Sequence, residues 1–201
     1  LYFFDFETFM PAIPLWDGTR PYETIPFQYS LYYKESQSLD PEYFEFLADG
    51  RHDPRIQLIK QFLKNTEREG TILAYNVGFE RARLNELALA FPLYKDDIDS
   101  RINRLADLMT PFANKLYYKP SMKGRYSIKV VLPAVNPKYD YSDLEIQEGG
   151  AASNEFERMI SLSDDYEIEI IRNNLLAYCK RDTYAMIILF NELERIANQI
   201  H

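Results

Sequence analysis

A chain of 201 residues with 46% apolar side chains can build one sizeable core, and two domains would be cramped. Its formal charge of −8 argues against a protein that coats nucleic acid through a broad basic surface, but not against an enzyme that grips a few nucleotides and commits acidic residues to metal ions. The single cysteine, Cys179, excludes an internal disulfide and fits a reducing compartment such as the cytoplasm, and no apolar run approaches the ~20 residues of a membrane span.

Leu1 to Phe9 reads as a buried strand, apolar apart from Asp5, Glu7 and Thr8. The chain opens without Met, already inside this run and without the basic start of a signal peptide, which reads as a domain cut from something longer. Met10 to Thr24 holds three prolines and a glycine and is a loop; Ile25 to Tyr33 and Tyr43 to Leu47 return as strands, completing an antiparallel meander. Asp53-Pro54 gives an N-cap with proline at the first helical position, followed by Ile56, Ile59, Phe62 and Leu63 at helical spacing, with Gly70 ending the helix. Thr71 to Tyr75 is a short strand delivering Asn76, and Gly78 opens a helix carrying Phe79, Ala82, Leu84 and Leu87. Arg104-Leu105-Ala106 leads as a further short strand to Asp107. Met109 to Pro137, with four prolines and a glycine, is irregular, and Glu167 to Ala197 is strongly helical. Strands alternating with helices imply a single α/β domain with a mixed central sheet.

Asp5 and Glu7, two apart in a strand, point to one face. Carboxylates in an apolar strand are costly without a partner, and a divalent cation is the simplest remedy for two that repel each other. An edge strand with one wet face gives the same pattern. Tyr178 and Asp182 share a face of the last helix, as i and i+4. Glu80 lies in the first turn of the middle helix, where ordinary helix-start preferences also put acids. Each signal alone has a bland reading.

Together they say more. Phe4-Asp5-Phe6-Glu7-Thr8 on a first strand, Asn76-x-x-Phe79-Glu80 opening a helix, and Tyr178-x-x-x-Asp182 on a late helix resemble the three motifs of the DEDD (DnaQ-like) 3′–5′ exonucleases. The third motif resembles the tyrosine variant, because the histidine variant needs His five residues before the aspartate and Ala177 stands there. The histidines, His52 and His201, lie away from the motifs and read as exposed. The resemblance implies a ribonuclease H-like fold: an α/β domain with a mixed sheet of about five strands flanked by helices. One departure is Glu80, where the superfamily has aspartate. The chain also resembles a bacterial branch of the superfamily through Pro21 to Ser30 and Tyr126 to Pro133, in which glutamate stands at that position. Asp107 is a candidate substitute ligand.

The resemblance further implies that Asp5, Glu7, Glu80 and Asp182 hold two cations about 4 Å apart that clamp the attacking and leaving oxygens, while Tyr178 positions the attacking water. Oxygen ligands without His or Cys suit Mg²⁺ or Mn²⁺. Thr8 and Asn76 are expected to face the substrate, a single-stranded DNA or RNA 3′ end. From Leu108 to Tyr139 there is no acidic residue, while Lys115, Lys119, Lys123, Arg125, Lys129 and Lys138 fall there with Tyr117, Tyr118 and Tyr126 among them. Cations interleaved with aromatic faces suit a single strand, and Tyr118, Lys123, Arg125 and Tyr126 are the candidate contacts. The same run also reads as a solvated basic loop. Trp16 is either a stacking face or a plug at a core edge, and Cys179, one step off the acidic face, reads as packing. Two other readings stand beside the exonuclease: a catalytically weak nucleic-acid-binding module keeping the fold, and an endonuclease of the same fold.

Overall fold

The computed structural model describes residues 1–35 and 40–199; His201 lies outside them. Five strands, β1 (Tyr2–Phe9), β2 (Ile25–Tyr33), β3 (Glu42–Leu47), β4 (Ile72–Ala74) and β5 (Leu105–Asp107), form one mixed sheet in the order β3-β2-β1-β4-β5. The expected meander is present, with β1–β2 and β2–β3 antiparallel, while β4 and β5 add in parallel through helical crossovers. The α/β architecture with helices against a five-stranded sheet is therefore as the sequence implied.

Alternation along β1 divides the molecule. Tyr2, Phe4 and Phe6 enter one core with Leu58, Ile59 and Phe62 of α1 (Arg55–Asn65) and with Leu84 and Leu87 of α2 (Gly78–Ala90). Phe3 enters a second core with Val131 of α5 (Ile128–Val135) and with Met186 and Leu189 of α7 (Asp165–Ala197). Asp5 and Glu7 continue the Phe3 side, so the carboxylates lie beneath α7. The 33-residue α7 starts on Asp164, whose side chain accepts from the Tyr166 and Glu167 amides at 2.8 and 3.3 Å. Its register over the sheet is pinned by two buried polar bonds: Gln28 Nε2 donates to the Leu175 carbonyl at 2.9 Å, and the Ser30 and Thr183 hydroxyls meet at 2.5 Å. Ser30 and Gln28 are the β2 partners of Asp5 and Glu7, so this pinning sets Asp182 against the β1 pair.

Several boundaries differ from expectation. The first helix stops at Asn65 rather than Gly70, because the Thr66 hydroxyl bonds the Phe62 carbonyl at 2.7 Å and Gly70 instead serves the turn into β4 with φ +132°. Asp53 acts one residue outside the cap position: its carboxylate accepts from the Arg55 amide and grips the Arg55 guanidinium. Ile56 is exposed and Leu58 takes its place in the core. Between β5 and α7, the irregular stretch contains α4 (Thr110–Ala113) and α5, and beyond it stands α6 (Gly149–Ser161). Neither α3 (Lys95–Ile102) nor α6 is foreshadowed by capping residues. α6 is held by Phe156, which stacks on Phe27 at 3.9 Å and meets Phe9 edge-on.

Candidate active site

The site forms at the carboxyl ends of the parallel strands β1 and β4, where loops and helix starts diverge and leave a crevice. β1 supplies Asp5 and Glu7, the β4–α2 turn supplies Asn76 and Glu80, and α7 supplies Tyr178 and Asp182. A cavity of about 580 Å³ is lined by all of these and by Thr8, so seven of the sequence candidates meet in one place. Glu7, Glu80, Asp182 and Tyr178 are buried at 6%, 2%, 7% and 3% exposure, and Asp5 is half-buried.

Four carboxylates in so dry a cavity repel each other. Burial, then Asp182, Glu7 and Glu80, push Asp5 well above the usual carboxylate range; burial and Asp182 do the same to Glu7 against the opposing Lys129. Burial lifts Glu80 to about 8, and Asp182 is raised by burial against the hydrogen bond from Tyr141. Glu80 Oε2 is buried without a hydrogen-bond partner among the described residues. A buried carboxylate oxygen without a partner is costly wherever it stands.

The surroundings hold these groups in place. The Tyr141 hydroxyl donates to Asp182 Oδ1 at 2.5 Å, and Arg181 fixes the Tyr141 loop through the Asp140 carbonyl and both Asp143 oxygens. Lys129 Nζ donates to the Tyr178 hydroxyl at 3.0 Å. Asn76, in the left-handed region at φ +71°, is braced by Asp107 Oδ1, which accepts from the Asn76 and Met109 amides at 3.0 and 2.9 Å. Asp107, the candidate substitute ligand, thus braces the backbone through Oδ1 and is not among the residues lining the cavity.

Tyr118, Lys123, Arg125 and Tyr126 do not line the cavity. Tyr118 accepts from the Gly124 amide at 3.1 Å, and the Tyr126 carbonyl accepts from Tyr75, a cavity-wall residue, at 2.6 Å. Their loop thus runs beside the crevice, and it is Lys129 of the same basic run that enters it. Lys129, Tyr141 and the Gly149-Gly150 start of α6 are the residues that motif reading missed. An acid-free run hinted at the first and a glycine doublet at the last; nothing marked Tyr141. Trp16 packs edge-on against Phe9 at 5.9 Å, a core-edge plug, and His52 is exposed beside Asp49. Cys179 is wholly buried, with Sγ 3.9 Å from the Asp5 carbonyl. Its sulfur and the Asp5 and Glu7 carboxylates lie within 4.8 Å of one another, but it does not line the cavity, and burial followed by Asp5 keeps the thiol protonated.

Among known proteins, the family described as "Domain of unknown function (DUF2779)" matches residues 2–127. The chain belongs to the DUF2779 family. That match spans β1 to the end of the basic loop, and so includes Asp5, Glu7 and Glu80 but not Lys129, Tyr178 or Asp182. The chain is 26% identical to the uncharacterized MG366 homolog of Mycoplasma pneumoniae over 92% of its own length and 31% of that protein. It is 25% identical to the uncharacterized protein UU173 of Ureaplasma parvum, over 92% of its length and 30% of that protein. The chain therefore spans about a third of the length of these curated relatives. No solved structure matches it. No described helix is long and apolar enough to cross a membrane.

The raised carboxylates give a stability test. An acid whose folded pKa lies above its unfolded value takes up a proton on folding, so the linked stability is present at low pH and is lost as pH climbs through the folded pKa. For Glu80 that window runs from the ordinary carboxylate range to about 8. In chelator, the DUF2779 domain should melt several degrees lower at about pH 8 than at about pH 5, and saturating Mg²⁺ or Mn²⁺ should remove the slope. A melting temperature independent of pH in chelator would mean the four acids do not repel as described.

Proposed function

We propose that this domain is a metal-dependent 3′–5′ exonuclease acting on single-stranded DNA or RNA ends. The observation that carries the reading is the convergence of Asp5, Glu7, Glu80 and Asp182 on one cavity in which Glu80 Oε2 is buried without a partner. Those carboxylates suit divalent cations, and an oxygen donor set suits Mg²⁺ or Mn²⁺. Asp5, Glu7 and Asp182, with Glu80, would hold them. Bound there, the cations would supply charge compensation to the attacking and leaving oxygens of a phosphodiester. Tyr178, its hydroxyl held by Lys129, orients the attacking water. Thr8 and Asn76 on the wall are placed to position the terminal nucleotide. The Tyr178-x-x-x-Asp182 spacing on α7, which resembles the exonuclease motif, favours the exonuclease over the endonuclease. A reducing cytoplasmic setting, and further domains in the full-length protein, fit this reading.

The direct test gives 5′-labelled DNA and RNA strands to the purified domain with Mg²⁺ or Mn²⁺. Products should shorten one nucleotide at a time from the 3′ end, and a chelator should stop the reaction. Cleavage at internal positions, or none with either metal on either strand, would overturn the reading.

A further inference from the structure

Among the described residues, Lys129 is the one cation lining a cavity that four carboxylates share. It comes from α5, an element that carries none of them. Its ammonium has three donors. One reaches the Tyr178 hydroxyl at 3.0 Å and a second reaches the Gln147 carbonyl at 2.6 Å; no third partner is present among the described residues. The rings of Tyr178 and Tyr141 lie 5.0 and 5.3 Å from Nζ, so the charge is flanked by two π faces and its position is set.

What this ammonium does not touch is as informative. A lysine in an acidic cavity would ordinarily pair with a carboxylate, yet Lys129 makes no ion pair with Asp5, Glu7, Glu80 or Asp182. Both its acceptors are neutral. Its charge acts on Glu7 and Asp182 only through space, offsetting part of their repulsion, and it takes up no carboxylate oxygen. A held ammonium with one open donor and no direct ion pair, on a cavity wall, is suited to an anionic oxygen.

We propose that Lys129 is a substrate-binding residue whose open donor grips a non-bridging oxygen of the phosphodiester entering the cavity, while its bond to Tyr178 registers that hydroxyl against the same phosphate. This rests on the nuclease reading and names the group on the substrate that is recognised. The competing account is purely structural: Lys129 would only tie α5 to Gln147, just ahead of α6.

The two accounts separate with a chemically altered strand. Binding is measured in Ca²⁺ for oligonucleotides whose 3′-terminal linkage is either a phosphodiester or a neutral methylphosphonate, using wild type, Lys129→Met and Lys129→Arg. Methionine keeps a long apolar stem against the two rings but has no donor. Neutralising the linkage should weaken wild type and Lys129→Arg by ~10-fold more than it weakens Lys129→Met, the range of one charge-assisted hydrogen bond. Equal losses in wild type and Lys129→Met would overturn the assignment, even with nuclease activity intact. A wild type that binds neither strand and releases no nucleotide would fail the nuclease reading and the assignment together. If Lys129→Met melts early, Lys129→Gln, which retains a donor for the Gln147 carbonyl without the charge, supplies the same comparison.

Discussion

Asp5→Asn in the purified domain should lower nucleotide release by roughly 1000-fold or more while leaving the melting temperature in chelator unchanged or raised. Asp5 sits in the central strand of the sheet, paired with Ser30 across β2, and three acidic side chains press on its carboxyl. Asparagine has nearly the same shape, so the β1 ladder and the packing of α7 stay as they are. What changes is charge: the repulsion among four buried acids falls, and so does the attraction that would hold a cation. The stabilisation of the wild-type domain by Mn²⁺ should shrink in the same mutant, linking the catalytic loss to metal rather than to folding. An Asp5→Asn protein with full activity would end the metal-centred account. One that unfolds would show that Asp5 is a structural polar group and that the neighbouring acids are tolerated for another reason.

Much of this arrangement was legible in the residues because two short periods carry it. Spacing by two puts Asp5 and Glu7 on one side of a strand, and spacing by four puts Tyr178 and Asp182 on one side of a helix. Those geometries are local and survive any tertiary context. Strands β1 to β3 were legible for a similar reason, being runs rich in Phe and Tyr. α6 was hidden because Gly149-Gly150-Ala151-Ala152-Ser153-Asn154 opens with poor helix formers and no side-chain cap, and tertiary packing of Phe156 holds what propensity does not. The basic stretch was legible only as a segment. Its contrast of charge along the chain marks a segment that borders the cavity, but Tyr118, Lys123, Arg125 and Tyr126 lie on the loop before α5, and the helical turn that begins at Ile128 carries Lys129 into the cavity. Position in sequence gives a neighbourhood, and the backbone path decides which side chain arrives.

Glu80 decides between an enzyme and a relic that keeps the fold. It lies in the first turn of α2 with one carboxylate oxygen buried and unpartnered, in a cavity it shares with three other acids. Shortening it by one methylene would withdraw the carboxylate by about one C–C bond length and leave space behind it, and displacements near 1 Å cost roughly 100-fold in rate. Glu80→Asp should therefore be slower than wild type by ~10- to 100-fold, and Glu80→Gln, which keeps length and loses charge, should be close to inactive. Glu80→Gln should also flatten the fall in melting temperature with rising pH, because the group raised to about 8 is gone. A decayed nucleic-acid-binding module predicts the opposite order: wild type inert, and aspartate restoring activity by returning the site to the superfamily pattern. Release of 3′ nucleotides by the three proteins at equal Mn²⁺ separates the two, and a gain of activity in Glu80→Asp over wild type would sink the reading of this site as a working exonuclease centre.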